Sequence, residues 1–374
     1  MKTVRDIADL KDKKVLLRVD FDVPVSDKDE IQESFRIKKQ KEVLDYLVSH
    51  DAKVIMVAHI SDKSVDDSFA SLVPQLHLLL GYEINFIKTV LEIGAYLANY
   101  AGPALLENIR QNSREKENDP EFAKQLAVGF DIYVNNDFAV SHRNHASVSA
   151  VAGLLPSYAG FVVEEEVARL SEVINSPKEG KVIVIGGAKT ETKVPVIKNF
   201  MGKAGRILIG GVVANDIMKE RGTDIGASLA DKNSKELLAG LDLASSVLVL
   251  PKDFVISENK ILDIGQETEK EYADIINNAS MIVWNGPMGM FEKPEFAHGT
   301  RAIAEAMITS KASKIIGGGD TISAVDSFGL LGKFSAEGGS ASGGNFVSTG
   351  GGAMLAFLAG EKLPGLEVLG YYEQ

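Results

Sequence analysis

The sequence predicts an α/β protein with two domains and mostly parallel sheets. Short apolar segments of strand length alternate with amphipathic helical segments along the whole chain, which is the pattern of parallel α/β folds. Many of these strands are continuous runs of Val, Ile and Leu, as expected where helices cover both faces of a sheet. The chain has 374 residues, more than one ordinary core accommodates, and this length favours two domains.

Nine segments are predicted to be strands: residues 14–21, 53–60, 104–109, 132–138, 181–187, 206–213, 246–251, 281–286 and 314–319. Apolar spacing typical of helices recurs at residues 37–49, 120–129, 193–203 and 268–279. Residues 159–175 are predicted to form one helix with a glutamate-rich face. We place the connection between the domains there, with the first domain at residues 1–158 and the second beginning at residue 176.

One low-complexity segment, residues 336–344, has the composition AEGGSASGG. Glycine, serine and alanine offer almost no surface to bury, so we expect a mobile loop that is dispensable for folding.

Composition narrows the function classes. The net charge of −12 argues against general nucleic-acid binding, although a local basic pocket remains compatible with it. No cysteine occurs, which excludes disulfides, thiolate metal sites and a cysteine nucleophile. The sequence has no apolar run long enough to span a membrane, and its polar N-terminal segment does not resemble a signal peptide. We therefore expect a cytoplasmic protein without a membrane or nucleic-acid partner.

The C-terminal half carries three glycine-rich turns, each between a strand and a helix: residues 186–189, 317–321 and 348–352. Ligands of open parallel sheets bind beyond the carboxyl ends of the strands, where such turns lie. Glycine lets backbone amides approach an anion, and a helix N-terminus favours negative charge. Any one turn is also compatible with an ordinary strand-to-helix connection. Three together favour a phosphate site, although no P-loop or dinucleotide motif is present.

Polar residues in and near these turns predict the chemistry of the site. Lys189 and Lys193 are four residues apart at a helix start, so that both ammonium groups face the glycine turn. Asp320 is a hard oxygen ligand suited to magnesium, and it would also serve as an ordinary helix cap. The run from Trp284 to Glu292 is apolar and glycine-rich, and it could form a wall for a base, with Glu292 available to sugar hydroxyls.

In the N-terminal half, polar and basic residues follow four predicted strands: Arg18, Asp20, Asp22, His59, Arg110 and the run His142–Arg143–Asn144–His145. Arg36 opens the first helix. Arginine suits carboxylates and phosphates, so the cluster predicts a pocket for a small polyanion. His142 and His145 lack a third nitrogen or thiolate ligand at suitable spacing, so we do not expect a metal there.

These motifs resemble those of phosphoglycerate kinases. The matching runs occur in the family's order between residues 14 and 366: RVDFDVP, LLENIR, YVNNDF, SHRNHAS, GGAK, WNGPMGMFE, GGGDT and VSTGGGA. The resemblance implies two Rossmann-like, doubly wound parallel-sheet domains joined by a helix. The second domain would run over residues 176–357, with a tail, residues 358–374, that packs back on the N-terminal domain. It also implies a hinge-bending monomer whose N-terminal domain binds 3-phosphoglycerate and whose C-terminal domain binds ATP or ADP with Mg²⁺.

The resemblance also implies roles for individual residues. Six match contacts to the acid substrate: Asp20, Asp22, Arg36, His59, Arg110 and Arg143. Thirteen match nucleotide contacts: Gly187, Ala188, Lys189, Lys193, Gly211, Asn285, Pro287, Gly289, Glu292, Gly318, Gly319, Asp320 and Thr321. Asp320 matches the metal ligand. The residues expected to stabilise the transferring group are Arg36, Lys189, Lys193, Gly350 and Gly351.

The implied reaction is a direct attack of the substrate carboxylate on the γ-phosphorus, which needs no general base. It completes on domain closure and interconverts ATP and 3-phosphoglycerate with ADP and 1,3-bisphosphoglycerate, a step of glycolysis and gluconeogenesis.

The sequence departs from the family pattern mainly in the acid pocket. Asp22 stands where the family usually has asparagine, and Asp62 aligns with an expected arginine, so the pocket loses three charge units. Lys63 could replace that arginine as a point charge. Asp22 lies beside Asp20, and we expect a raised pKa for Asp22 because neighbouring negative charges favour the neutral form.

Three hypotheses stay open: an active phosphoglycerate kinase with a compensated pocket, a kinase of the same family for a different small carboxylic acid, and a catalytically weak nucleotide-binding relative. Lys189, Lys193, Asp320 and Arg36 argue against the third, since all serve transfer.

Overall fold

A computed structural model describes residues 1–61, 67–334 and 344–373. Asp62, Lys63 and most of the low-complexity segment lie outside the described residues. The chain folds into two compact units. Unit 1 comprises Met1–Val167 together with Lys362–Gln374, and unit 2 comprises Ala168–Glu361.

Unit 1 is built on a six-stranded parallel sheet with the order β3-β4-β2-β1-β5-β6. The strands are β1 (Lys14–Arg18), β2 (Lys53–Val57), β3 (Asn85–Ile87), β4 (Ala104–Leu106), β5 (Ile132–Asn135) and β6 (Ser157–Ala159). Its helices are α1 (Phe35–Lys39), α2 (Lys41–Ser49), α3 (Val73–Leu80), α4 (Ile93–Ala98), α5 (Pro120–Ala127) and the first half of α6 (Phe161–Asn175). The strand order reverses between β1 and β5, which makes that pair the switch point of the sheet.

The sheet of unit 1 is buried on both faces. Alternate residues of β1 enter different apolar clusters: Val15 and Leu17 belong to one, and Leu16 belongs to the other. This follows from the period of two along a strand, since successive side chains point to opposite faces. The continuous apolar runs in the sequence therefore reflect two cores, one on each side of the sheet.

Unit 2 has its own six-stranded parallel sheet, with the order β14-β13-β12-β7-β8-β9. The strands are β7 (Lys181–Ile185), β8 (Arg206–Ile209), β9 (Leu248–Val249), β12 (Met281–Asn285), β13 (Ser313–Gly317) and β14 (Phe346–Ser348). An antiparallel hairpin, β10 (Phe254–Ser257) and β11 (Lys260–Ile264), lies outside this sheet. In order of appearance the sheet reads 3-2-1-4-5-6, the Rossmann arrangement, with its switch point between β7 and β12.

The helices of unit 2 connect these strands. They are α7 (Thr190–Phe200), α8 (Gly211–Glu220), α9 (Ser234–Leu237), α10 (Gln266–Asn277), α11 (His298–Thr309), α12 (Gly319–Ser327), α13 (Leu331–Phe334) and α14 (Gly352–Leu358).

The C-terminal tail packs on unit 1, which confirms the predicted return. It contains α15 (Pro364–Glu367), and Leu363 and Leu366 are buried. The amide of Gly365 donates to the carbonyl of Ser141 at 2.9 Å, and a Cβ on Gly365 would lie 2.9 Å from the Ser141 Cα. The tail therefore sits directly on the backbone of unit 1.

The predicted α/β class with parallel sheets is confirmed, and all nine predicted strands are present. Most of them end earlier than predicted, because apolar residues such as Phe21, Ile60 and Phe138 remain buried in the segments beyond the last strand residue. The helix predicted at residues 37–49 is wrong as a single element. It divides into α1 and α2 at Gln40. The buried side chain of Gln40 donates to the Arg36 carbonyl and accepts from the Asn136 side chain.

The predicted domain boundaries stay a prediction. None of the described helices has the length and apolar character needed to cross a membrane.

Candidate active site

Two glycine turns interlock at the switch point of unit 2. The amide of Gly186 donates to the Asn285 carbonyl at 3.0 Å, and that of Gly187 donates to the Pro287 carbonyl at 2.8 Å. A Cβ on Gly186 would lie 2.1 Å from the Pro287 oxygen, and a Cβ on Gly286 would lie 2.1 Å from the Gly186 oxygen. Any side chain here would force the loops after β7 and β12 apart. The glycines therefore bring these two loops into backbone contact.

A buried lysine lies beside this junction. Lys193 occupies the first turn of α7, is only 8% exposed, and its ammonium donates to the Asn285 side-chain oxygen. Burial lowers the pKa of Lys193 to about 8, Asp320 opposes this shift, and Lys189 adds to it. Lys189 itself is exposed at the start of the helix. Of the two predicted lysines, Lys193 is therefore buried and Lys189 is exposed.

The turn before α12 adjoins the same asparagine. A Cβ on Gly318 would lie 2.8 Å from the Asn285 side-chain nitrogen. Asp320 and Gly319 are exposed in the first turn of this helix, and Thr321 is fully buried. The hydroxyl of Thr321 accepts the Gly286 amide at 2.7 Å, so this residue joins α12 to the loop after β12.

A pocket of about 480 Å³ extends from these turns. Its lining includes Gly187, Ala188, Gly211, Asp320 and the whole run 287–292 with Pro287, Gly289 and Glu292. A volume of this size suits a small-molecule ligand. Gly211 has a φ of 58°, and a Cβ there would lie 2.5 Å from the Gly187 nitrogen, so α8 starts directly against the first glycine turn.

Other pocket residues escaped the sequence-based prediction. They come from α8, the segment after it and the β10–β11 hairpin: Val212, Asn215, Leu229, Phe254, Leu262 and Asp263. Trp284, at the start of the run considered as a wall for a base, does not line the pocket. It is fully buried, and its indole nitrogen donates to the Gly286 carbonyl at 2.8 Å. The part of this run that lines the pocket begins at Pro287.

The third glycine turn follows β14. Gly350 is buried and its amide donates to the Ser348 hydroxyl at 3.1 Å. Gly351 has a φ of 49°, in the region that favours glycine, and precedes α14. β14 is two strands from β12, so this turn lies farther along the same carboxyl edge of the sheet.

The switch point of unit 1 holds a buried network centred on Arg18. The Arg18 guanidinium forms an ion pair with Asp137 at 2.7 Å, donates to the Ser147 hydroxyl at 3.1 Å, and contacts the His59 Nδ1 at 2.8 Å. Ser147 in turn donates to Glu115 at 2.6 Å. These residues come from the carboxyl end of β1 and from segments that follow β2, β4 and β5, so the strand-end residues do converge.

This network fixes the proton of His59. Arginine can only donate, so Nδ1 must accept from Arg18, and the proton sits on Nε2. Nε2 lies 3.2 Å from the Asp22 carboxylate and donates to it. Burial lowers the pKa of His59, which keeps the ring neutral.

The expected raised pKa of Asp22 is wrong. Burial opposes ionisation, but the hydrogen bond from His59, the Ser61 amide at 2.8 Å and nearby Arg110 outweigh it and lower the pKa of Asp22 to about 2. Asp20 shows the opposite behaviour. Burial, reinforced by Asp137, raises its pKa to about 7, although Arg36 lies 3.6 Å away.

Further cations surround this network. Arg36 is partly buried and donates to the Asp22 carbonyl at 3.3 Å. Arg110 donates to the Ser61 hydroxyl. Burial, together with Arg110, Arg18 and Arg143, lowers the pKa of His145 to about 4. Arg143 is exposed. The predicted acid-site residues therefore lie in one highly charged region of unit 1, where four arginines, Arg18, Arg36, Arg110 and Arg143, lie among four carboxyl groups, Asp20, Asp22, Glu115 and Asp137.

Comparison with known proteins decides the family. A family model described as phosphoglycerate kinase matches residues 4–361. The chain belongs to the phosphoglycerate kinase family. Phosphoglycerate kinases of Herpetosiphon aurantiacus and Moorella thermoacetica are 38% and 35% identical to it, each over 98% of both chains. The family carries out phosphoryl transfer that uses ATP or ADP.

Solved phosphoglycerate kinases share the fold. The Pyrococcus horikoshii enzyme matches with a TM-score of 0.84 and 30% identity over the full length of both chains. The Coxiella burnetii enzyme matches with a TM-score of 0.81 and 30% identity over 100% of this chain and 99% of its own.

Two further differences from the motifs usual in phosphoglycerate kinases, Asn136 in YVNNDF and the valines of the run GGVVA at residues 210–214, have distinct positions in the structure. Asn136 is fully buried, donates to Gln40 at 2.7 Å and accepts the Val162 amide at 2.9 Å. It therefore ties α1, β5 and α6 together. In the segment 210–214, Val213 is buried in the core and Val212 lines the pocket, so the valine at position 212 forms part of the pocket surface.

Proposed function

We propose that this protein transfers the γ-phosphoryl group of ATP to the carboxylate of 3-phosphoglycerate, reversibly, as a step of glycolysis or gluconeogenesis. The observation that carries the proposal is the position of Lys193 at the switch point of unit 2, between two interlocked glycine turns and near Asp320, beside a pocket of nucleotide size. The curated relatives named phosphoglycerate kinase support the same reaction.

The nucleotide would occupy the pocket of unit 2. Its base would lie on the largely apolar lining from the hairpin and the run 287–292, and Glu292, which also lines the pocket, would meet the ribose hydroxyls. Its phosphates would lie at the glycine turns, where Lys189 and Lys193 supply positive charge. A phosphate beside Lys193 would favour its ammonium form and raise the pKa that burial has lowered.

Magnesium fits this site as a partner of the nucleotide. The described residues contain no group of three or more His, Asp or Glu side chains that could hold a metal by themselves. Asp320 offers one exposed carboxylate at the turn before α12, and magnesium at nucleotide sites is commonly held by one or two carboxylates plus phosphates and water. Asp320 would therefore hold the ion together with the nucleotide. The positive charge of the ion would partly neutralise the negative charge of the phosphates.

The acid would occupy the highly charged region of unit 1, on the side where its arginines are accessible. Arg36, Arg110 and Arg143 are partly or fully accessible, and they would bind the phosphate and carboxylate of the acid. Arg18 is fully buried, so its role is to hold Asp137, Ser147 and His59 in place.

The reaction proceeds without a general base. A carboxylate nucleophile is already deprotonated at neutral pH. The only proton of the His59 ring is directed at Asp22, and Nδ1 is engaged by Arg18, so this histidine is arranged for positioning. Arg36, Lys189, Lys193 and the turn of Gly350 and Gly351 would stabilise charge on the transferring group. We further propose a cytoplasmic monomer, consistent with the absence of cysteine and the acidic composition.

The assay couples ADP formation from ATP and 3-phosphoglycerate, with and without a chelator, and repeats it with other small carboxylic acids. We expect transfer to 3-phosphoglycerate that the chelator abolishes. Transfer only to another acid would favour the second hypothesis, and nucleotide binding without transfer to any acid would favour the third.

A matched pair of variants tests the metal ligand. Asp320→Asn removes the carboxylate at the turn, and Asp326→Asn removes an exposed carboxylate farther along the same helix. The first change should raise the magnesium concentration for half-maximal activity by roughly tenfold to a hundredfold, the value of one charge-assisted contact, and the second should leave it unchanged. Equal magnesium dependence in both variants would remove Asp320 from the site.

A further inference from the structure

The carboxylate of Asp22 already occupies hydrogen-bond donors of the acid site. One of its oxygens accepts from the His59 Nε2 at 3.2 Å, and the other accepts the Ser61 amide at 2.8 Å. Burial opposes ionisation of Asp22, but these two hydrogen bonds and the charge of Arg110 lower its pKa to about 2. Asp22 is therefore an anion at neutral pH, held by the protein's own donors.

His59 has no second proton to offer to a ligand. Its Nδ1 accepts from the Arg18 guanidinium at 2.8 Å, so the Nε2 proton is the only one on the ring. Burial lowers the pKa of His59, which keeps the ring neutral. An anionic ligand that uses this histidine must therefore take the place of the Asp22 carboxylate.

The position of Asp22 favours such an exchange. Its side chain is 31% exposed, whereas that of His59 is 3% exposed, so the carboxylate lies between the histidine and the solvent. Arg110 donates to the hydroxyl of Ser61, which brings an accessible cation to the same point. An acid that approaches these donors from solvent meets Asp22 first.

The exchange requires only a rotation of one side chain. The amide of Asp22 donates to the Asp20 carboxylate at 3.1 Å, and its carbonyl accepts from Arg36 at 3.3 Å. These two contacts hold the backbone and do not involve the Asp22 carboxylate. The carboxylate can therefore leave His59 and Ser61 while the loop after β1 stays in place.

We propose that Asp22 is an internal competitor in the acid site: its carboxylate takes the place of an anionic group of the acid, which binds His59 and the Ser61 amide only by displacing it. The inference rests on the proposed function for the choice of 3-phosphoglycerate as the acid. It goes beyond charge repulsion, because it assigns to Asp22 the same donors that the acid needs.

Two neutral variants separate competition from repulsion. Asp22→Asn removes the charge, but its one side-chain oxygen still holds one of the two donors. Asp22→Ala removes the charge and frees both. Calorimetry with 3-phosphoglycerate and the full-length protein should give a dissociation constant roughly tenfold lower in Asp22→Asn than in the wild type, and a further threefold to tenfold lower in Asp22→Ala, roughly the value of one more hydrogen bond.

Equal affinities in the two variants would show that repulsion alone acts, and weaker binding in both would show that Asp22 contributes a contact to the acid. Either result would overturn the proposal. Should Asp22→Ala fail to fold, the nearly isosteric Asp22→Asn decides at two salt concentrations. Repulsion across a distance is screened at about 1 M salt, whereas occupation of the donors is not. The affinity ratio between Asp22→Asn and the wild type should therefore persist at about 1 M salt, and a ratio of one would refute direct competition.

Glu33→Gln is the matched control. Glu33 is a carboxylate whose charge acts on Arg36, and glutamine keeps the oxygen that accepts the Phe35 amide. The variant changes the net charge as Asp22→Asn does, yet it should leave the affinity for 3-phosphoglycerate nearly unchanged. A gain in affinity as large as that of Asp22→Asn would assign the effect to net charge and overturn the proposal.

Failure of the proposed function gives different results. If 3-phosphoglycerate binds neither the wild type nor the variants, the proposed acid is wrong and the inference fails with it. If affinities follow the predicted order but no phosphoryl group is transferred, the inference stands and the proposed reaction fails. If transfer occurs and all proteins bind the acid equally, the reaction stands and the inference fails.

Discussion

Lys193 should make the free protein less stable than a neutral residue would, while the reaction depends on it. The folded structure lowers the pKa of this buried lysine from 10.5 to about 8. Folding therefore disfavours the ammonium form. With about 1.4 kcal/mol for each pKa unit, the penalty at neutral pH is about 3 kcal/mol. Replacement by methionine keeps the length and volume of the side chain and removes the charge.

The penalty depends on pH in a defined direction. It is fully present below the folded pKa of about 8 and disappears as pH rises toward the unfolded pKa of 10.5. The stability of the wild type should therefore rise relative to Lys193→Met by about 2 kcal/mol between about pH 7 and about pH 9.5. The loss of the hydrogen bond to Asn285 also destabilises the variant, but this contribution does not change with pH, so the pH dependence isolates the buried charge.

Trp284 provides the probe. It is the only tryptophan, it is fully buried, and it lies in the strand that carries Asn285, so its fluorescence in urea reports the unfolding of unit 2. Lys198→Met, which replaces an exposed lysine of α7, is the control, and its stability relative to the wild type should not change with pH in this way.

In the kinetic assay, Lys193→Met should lower kcat by roughly tenfold to a hundredfold or more, because a cation on the transferring group acts mainly in the transition state. A stability difference that is constant across this pH range would refute the buried-charge argument, and an unchanged kcat would refute the catalytic role.

Two further predictions concern the acid site. Asp20→Asn removes a carboxyl group whose pKa burial raises to about 7, so the wild type should lose about 3 kcal/mol of stability relative to this variant as pH rises from about 4 to about 7. Circular dichroism of urea unfolding at several pH values measures the difference in stability, and a difference that does not change with pH contradicts the prediction. Asp22→Asn combined with Asp62→Arg, the latter outside the described residues, should lower KM for 3-phosphoglycerate and leave KM for ATP nearly unchanged, because negative charge is removed beside an anionic substrate. A KM for 3-phosphoglycerate that does not fall would favour a different acid as the substrate.

Local sequence was sufficient to predict which strand ends carry the glycine turns and the arginines that the fold brings together. Glycine turns and arginines are conspicuous in sequence, and a parallel sheet must bring its carboxyl ends to one edge. The β10–β11 hairpin was not predictable in the same way. Its turn, Glu258 and Asn259, has positive φ at both residues but lacks the glycine that marks such turns in sequence. Phe254 and Leu262 line the pocket only because this hairpin folds against α8, a contact that depends on the tertiary structure.

The error on Asp22 has a similar origin. Sequence shows two carboxylates two residues apart, and from that alone repulsion is the expected effect. The partner that decides the matter is His59, which comes from the end of a neighbouring strand and whose proton is directed by Arg18. Asp20 accepts the Asp22 amide at 3.1 Å, but its other oxygen has no hydrogen-bond partner among the residues that the structure describes. Since Asp20 is also nearly fully buried, the raised pKa belongs to it. Spacing along one strand could not distinguish the two carboxylates, since the distinction depends on what lies across the strand end.

Two polar groups of unit 2 beside the proposed phosphate position are incompletely satisfied. Within the described residues, the Asn285 side-chain nitrogen has no hydrogen-bond partner, and Lys193 is a buried cation without an ion pair within bonding distance. Both destabilise the free protein, and the charge of a bound phosphate would compensate the buried ammonium. Because a ligand that supplies these partners binds only the folded state, its binding free energy also stabilises the fold. Substitutions that replace these groups by apolar ones should therefore narrow the stability gap between the free and the nucleotide-bound protein, and the narrowing should come from weaker binding as well as from a more stable free state.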